Sequence, residues 1–374
     1  MVVSSQNQEH VELKWWEKAL FVQYLVLKTT ASFKKTEIIE LSPKVELQFD
    51  INGYLTIEFT KAAFHFSFLV DILNIPANAT WVKDGVTGAG GNGKGNAINQ
   101  LSNPYGLFVD DDQAVIIVDW GNHRVIQWKK NDTNGHVIAG GKGVGNGLHQ
   151  LHSPTDVLID KETDSLIICD SNNKRVVRWS RRNGTTQGEI VINNISCWGL
   201  AMNNHTYLYV ADNNKHEVRK YQLGDTNGTL VTGGNDRGNG TNQLYKPTYI
   251  YVDQQQNVYV SDRDNHRVMK WVKGAKEGIV VAGGQGSGNA LTQLSLPLGL
   301  FADIVGTIYV ADSSNHRVMC WTQGAKQGSV IVGGNSSGAA ANQFNGSGAV
   351  NFDQHGNLYV VDFSNFRVQR FPLE

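Results

Sequence analysis

The chain is short of cysteine, of proline, of long apolar runs and of excess charge, and each shortage removes a class of protein. Cys169, Cys197 and Cys320 are too few and too scattered among 374 residues for a disulfide scaffold, a zinc ribbon or a RING-type cluster, and they read as buried thiols. The longest apolar stretches, around Ala19 to Leu27 and Phe64 to Ile75, are interrupted by Gln23, His65 and Asp71. They fall short of the ~20 residues that a membrane span needs. No basic start followed by an apolar stretch and a small-residue cleavage site opens the chain, so no secretory leader is expected. Formal net charge is −1, and beyond residue 80 there are 26 basic against 25 acidic residues. Without an excess of cations to neutralise a phosphate backbone, nucleic acid is not the expected partner.

What the chain has is glycine, 40 residues against 7 prolines with no triplet period, which points to many tight turns between short strands. Self-similarity supplies the frame. The phrase IIVDWGNHRVIQW recurs as IICDSNNKRVVRW, LYVADNNKHEVRKY, VYVSDRDNHRVMKW, IYVADSSNHRVMCW and LYVVDFSNFRVQRF. Its aspartate falls at Asp119, Asp170, Asp212, Asp262, Asp312 and Asp362, at intervals of 51, 42, 50, 50 and 50 residues. That is the length of a four-stranded propeller blade. The first copy parses into strands a (Gly106 to Val109), b (Val115 to Val118), c (Arg124 to Trp128) and d (His136 to Ala139), apolar and β-branched within, Asp, Asn and Gly at the joints. Such sheets leave an apolar face that only a neighbour can cover, and every c strand carries a large residue to cover it: Trp128, Trp179, Tyr221, Trp271, Trp321 and Phe371. The sixth copy ends without strand d, while Gly85 to Gly91 aligns with Gly135 to Gly141 of the first. An N-terminal outer strand is therefore expected to complete the last blade and close the ring.

The Asn-His-Arg-Val stretches at Asn122, Asn265 and Asn315, each preceded by a strand ending in Asp, resemble the NHL-repeat family over about residues 85 to 374. The resemblance implies an all-β fold, a six-bladed β-propeller. It also implies a protein- or RNA-binding module, as at the substrate-recognition ends of RING-bearing ubiquitin ligases, with one amidating-lyase branch. Ubiquitin ligase activity cannot reside in this chain alone, since these residues encode no zinc-binding RING. Residues 80–374 are assigned to the propeller and residues 1–79 to an N-terminal extension. In the extension, Val45 to Ile51 and Tyr54 to Phe59 alternate around Asn52-Gly53 and predict a hairpin with a type I′ turn, and Val11 to Leu27 fits a short helix.

In this architecture the d-to-a and b-to-c connections share one face, so the Gly-rich loops and the Asp-x-x-Asn-His-Arg turns form the default binding surface. Asp119 with Arg124, Asp170 with Arg175, Asp262 with Arg267, Asp312 with Arg317 and Asp362 with Arg367 read as turn braces joined by charge-assisted hydrogen bonds. The repeated His123, His216, His266 and His316 lie roughly 12 Å apart on strand-spacing geometry, too far to share a metal ion. Only the residues entering strand a can converge on the axis, and among them a single carboxylate, Asp156, appears. A metal-dependent lactonase-like propeller or an amidating lyase needs several ligands there, so no catalytic residue, metal ligand or cofactor is assigned.

Tyr105, Trp198 and Tyr249 form an aromatic rim suited to gripping a peptide or to plugging the channel. The short 42-residue interval lacks a Gly-rich loop, and the turn after it has Lys215 and Glu217 where Asn and Arg recur. A notch over Trp198, Lys215, His216 and Glu217 is therefore expected. The predicted function is a monomeric, non-catalytic scaffold for a protein or peptide partner. The alternatives are a metal-dependent lactonase- or lyase-type enzyme, or an RNA-binding module using Lys94, Lys142 and Arg237. Nine Asn-x-Ser/Thr sequons leave an extracellular location standing beside a cytosolic one.

Overall fold

The computed structural model of the chain describes residues 75–374 apart from 77, 183 and 204–206, together with three strands nearer the N-terminus. The chain divides into two compact units, 1–72 and 73–374.

In the first unit, strands Ile38–Leu41, Val45–Phe49 and Leu55–Ile57 form an antiparallel sheet with Val45–Phe49 central. The expected hairpin is present, but its register differs. Phe49 pairs with Leu55, whereas a two-residue Asn52-Gly53 turn would set Phe49 opposite Thr56. The strands are thus centred on Asn52, which does not fit a type I′ turn. The turn residues themselves, and the helix expected over Val11 to Leu27, lie outside the described residues.

The second unit is six four-stranded antiparallel sheets in ring order. In blade 1, strand a is Pro104–Val109, b Val115–Asp119, c Arg124–Trp128 and d His136–Gly140. Blades 2 to 5 repeat this order, and each c-to-d pairing contains a one-step register shift that bends the outer strand. Blade 6 is built from Ser347–Phe352, Leu358–Asp362 and Arg367–Phe371 and completed by Val86–Gly90 from the start of the unit, with Arg367 opposite Gly90. Closure runs past the sheet: Val82 N donates to Pro372 O and Glu374 N to Thr80 O, each within 3.0 Å, and Trp81 is buried beneath blades 5 and 6. The two ends of the ring are therefore held by one sheet and not by separate caps.

Packing follows from the c-strand aromatics. Each of the six apolar clusters contains one of Trp128, Phe371, Trp179, Tyr221, Trp271 and Trp321, all buried. The glycine just before strand d lies flat on this ring in every blade. At Gly278 an added Cβ would stand 2.7 Å from the Trp271 indole, so only glycine fits.

In five blades the b-to-c turn is a single 3-10 turn ending in a left-handed residue, with φ of 53° at His123, 55° at His266 and 54° at His316, and in blade 3 a plain turn ends in the same conformation at His216, with φ of 55°. The histidine has a function in this position that the sequence did not disclose. Its Nδ1 accepts the backbone N–H of a residue at the start of the next blade: Ser153 N for His123 at 3.1 Å, Lys246 N for His216 at 3.2 Å, Leu296 N for His266 at 3.2 Å and Gly346 N for His316 at 3.0 Å. Four of the six blade junctions carry such a clasp. Burial, then the neighbouring His152, lowers the pKa of His123; burial, then Lys246 and Arg237, lowers that of His216. Both effects favour the neutral imidazole, the form that can accept.

The expectation of three buried thiols is corrected at two positions. Cys169 and Cys197 form a disulfide with Cα atoms 5.4 Å apart, inside the range a disulfide requires, and Cys320 is the free thiol. Cys169 is the last residue but one of strand b of blade 2 (Ser165–Asp170) and Cys197 starts strand a of blade 3 (Cys197–Asn203), so the bond crosses a blade junction. Among the described residues no helix is long and apolar enough to cross a membrane.

Candidate functional site

The face that carries the Gly-rich loops and 3-10 turns is assembled by five repeated clamps. In the first, Asp119 Oδ1 accepts Ser102 N at 2.7 Å, and Oδ2 accepts Asn122 Nδ2 at 2.7 Å and Arg124 Nε at 2.8 Å. The guanidinium then reaches out to the carbonyls of Asn96, Ala97 and Gln100. One buried carboxylate therefore orients one arginine, and the arginine pins a loop that has no regular structure of its own. The same bridge stands at 2.7 Å between Arg175 and Asp170, Arg267 and Asp262, Arg317 and Asp312, and Arg367 and Asp362. The carboxyls of Asp119, Asp262 and Asp312 are raised, burial outweighing the opposing pull of the converging Asn, backbone and Arg donors.

Inside that ring of loops the first strands meet almost backbone to backbone. A Cβ on Gly106 would stand 2.7 Å from the Asp156 Cα, so glycine is what lets blades 1 and 2 close at the axis. Tyr249 lies across the narrowed channel from blade 4, its hydroxyl donating to Thr155 O of blade 2 at 3.4 Å, and is 5% exposed. Above it, Tyr105 stacks on Phe363 with ring centres 5.6 Å apart, and it meets Trp198 edge-on at 5.8 Å and Trp120 at 6.1 Å. All four of these rings are partly exposed. Burial raises the Tyr105 phenol and the guanidinium of Arg263 lowers it, while Tyr249 is pushed well above the usual phenol range by burial and by Asp156. Both phenols stay neutral at any ordinary pH.

Of the residues singled out in the sequence, Tyr105, Asp156, Trp198 and Tyr249 are brought together at this mouth. Trp120, Phe363 and Arg263 belong to the same neighbourhood and were missed. Each is the first residue after a repeated aspartate, a position that reads Trp, Ser, Asn, Arg, Ser, Phe around the ring. Variation at one place in an otherwise constant phrase was the signal available.

Asp156 is bound to the backbone of two blades. Its Oδ1 accepts Val157 N at 2.9 Å and its Oδ2 accepts Leu200 N at 2.8 Å, tying blade 2 to blade 3. Burial raises its carboxyl to about 7 against the pull of those two N–H groups. A folded-state pKa above the unfolded value means that the stability it contributes is present in acid and lost as pH rises through about 7. From about pH 5 to about pH 8 the loss should reach about 2–3 kcal/mol. Urea unfolding of the wild type and Asp156→Asn across that range should show the stability difference changing by this amount; parallel pH curves would refute the assignment.

Lys215, His216 and Glu217 go to different places. At the blade 2 to blade 3 junction, where the Gly-rich loop is missing, a cleft of about 470 Å3 opens, lined by Ile190, Asn194, Lys215, Arg219 and Tyr221 among others. Glu217 is buried and paired with Arg219 at 2.6 Å. His216 turns to the blade 4 side, edge-on to Tyr245 at 5.7 Å, and Trp198 belongs to the axial mouth. Among the described contacts no arginine is hydrogen-bonded to Asp212, which accepts the N–H groups of Asn214 and Lys215. Among the described residues no three His, Cys, Asp or Glu side chains gather closely enough to hold a metal ion. Of the basic residues considered for RNA, Arg237 lies over the Tyr245 ring at 5.7 Å, and Lys94 and Lys142 are exposed.

Comparison with known proteins places this geometry. The NHL repeat model matches residues 244–271, the stretch from the end of a Gly-rich loop through strand c of blade 4. Among solved structures the chain is similar to a protein of unknown function from Bacteroides thetaiotaomicron, at 13% identity and a TM-score of 0.63, covering 91% of this chain and 98% of that one. It is also similar to an auxiliary nutrient binding protein from the same organism, at 15% identity and a TM-score of 0.61, covering 88% and 83%. A gluconolactonase from Xanthomonas campestris matches at 12% identity with a TM-score of 0.55, covering 79% and 100%. At such identities the likeness shows the fold alone. No curated protein matches the sequence. With the ring closed through Val86–Gly90 and an NHL repeat matched in blade 4, the chain is a six-bladed β-propeller that carries an NHL repeat.

Proposed function

We propose that this propeller is a non-catalytic binding protein that takes a peptide segment of a partner at the aromatic mouth. One observation carries the reading: Tyr105, Trp120, Trp198 and Phe363 form a partly exposed aromatic floor over a channel closed by Tyr249. The Trp198 indole N–H beside them is buried without an acceptor. Rigid aromatic surface at low entropic cost is what an apolar or aromatic side chain of a peptide would cover. The fold serves both a binding protein and a lactonase among its structural neighbours. Binding is favoured here because the one carboxylate entering strand a spends both oxygens on backbone N–H groups and has none left to act on a substrate.

The test is selection from a displayed random-peptide library on the full chain, with counter-measurement on Trp198→Ala and Tyr105→Ala. Loss of a hot-spot aromatic of about 2 kcal/mol corresponds to about thirtyfold weaker binding. Selected peptides should therefore lose roughly that much on either variant while the unfolding midpoint of each stays within a small shift. Peptides that bind wild type and both variants alike, or gluconolactone hydrolysis by the purified chain, would overturn the proposal.

A further inference from the structure

Two independent features outside the mouth point to how this chain is finished. Cys169 and Cys197 are fully buried and bonded across a blade junction, and a structural disulfide of this kind forms and persists in oxidising surroundings. Separately, the nine Asn-x-Ser/Thr sequences can be sorted by what their side chains do. Asn335 Nδ2 donates to Asn342 O at 3.2 Å, and Asn345 Oδ1 accepts from Ser337 at 3.0 Å, so both are tied into a loop. At Asn78, Asn194 and Asn239 the amide is exposed, but the hydroxyl two residues on is engaged: Thr80 with Glu374, Ser196 with Asn214, Thr241 with Glu277. Asn183 and Asn204 lie outside the described residues, and among the rest Asn131-Asp132-Thr133 and Asn227-Gly228-Thr229 remain. In each the asparagine and the threonine are exposed and no hydrogen bond holds either side chain.

Both sit in a turn between strands c and d, in blades 1 and 3. That connection emerges on the face opposite the Gly-rich loops, so a branched glycan on either amide would project into solvent and leave the mouth clear.

We infer that this protein matures in an oxidising compartment and carries N-linked glycans on Asn131 and Asn227. The inference does not rest on the reading of the mouth. Its test uses the native chain isolated from the cells that make it, denatured in iodoacetamide without reductant and weighed intact before and after treatment with peptide-N-glycosidase. One alkylated cysteine, Cys320, is expected without reductant and three after reduction. The glycosidase should remove mass and leave aspartate at positions 131 and 227 on peptide mapping. Three alkylated cysteines without reductant would overturn the compartment, and unmodified asparagine at both positions would overturn the glycan sites.

Discussion

Asp262→Ala is expected to lower the unfolding free energy of the propeller by about 3–5 kcal/mol, because it strips a buried guanidinium of its counter-charge. Asp262 is fully buried and accepts three hydrogen bonds, from Tyr245 N at 2.6 Å, Asn265 Nδ2 at 2.8 Å and Arg267 Nε at 2.7 Å. Arg267 in turn holds the carbonyls of Asn239, Gly240 and Gln243. Removing the carboxylate leaves a desolvated cation and three loose donors, and the loop above blade 4 loses the arm that pins it. Asp212→Ala is the internal control. The aspartate there is equally deep in its sheet but, among the described contacts, bonds to no arginine and accepts only two backbone N–H groups. Its loss should cost about 1–3 kcal/mol, the scale of hydrogen bonds to a charged group. Urea midpoints for the two variants would decide, and equal costs would show that the arginine clamp contributes nothing of its own.

The paired change Cys169→Ala with Cys197→Ala should cost about 3–4 kcal/mol on the chain-entropy account, since the bond closes a 28-residue separation. The location sharpens the expectation. Five junctions are bridged by a Gly-rich loop held down by an arginine. The junction between blades 2 and 3 has neither, and Ile195, buried at 2% exposure, stands alone where the other loops bury Leu101, Leu151, Leu244, Leu294 or Phe344. The disulfide there joins strand b of one blade to strand a of the next, replacing by a covalent bond what hydrogen bonds do elsewhere. Reductant should shift the unfolding midpoint of the wild type and leave the double variant unmoved. A double variant as stable as the oxidised wild type would show that the junction holds without it.

The blade count, the strand order within each blade and the closing strand were legible because the chain repeats one phrase at a nearly constant interval and lacks the last strand at one end. Alternation within the phrase fixes which residues face a neighbour, since a pleated strand has period 2. The arginine and aspartate of each turn were legible as a pair for the same reason: they face each other across adjacent strands, as Asp119 and Arg124 do in the sheet register. The loop carbonyls that the arginine reaches were not, because they lie 24 to 28 residues away in the chain. The histidine clasps were overlooked for a similar reason. Each joins residues 30 apart in sequence, and a left-handed turn residue shows its donor partner only after two blades are placed side by side.

The amino-acid order alone thus determined the ring, because local strand and turn preferences repeated six times admit few ways to bury the same aromatic face. Tertiary structure alone decided which side chains share the axis. Phe363 of blade 6 and Trp198 of blade 3 meet Tyr105 of blade 1, and Cys169 finds Cys197 across a junction where a loop has been lost. No short stretch of sequence encodes such meetings, since they depend on the angle and distance at which whole blades pack.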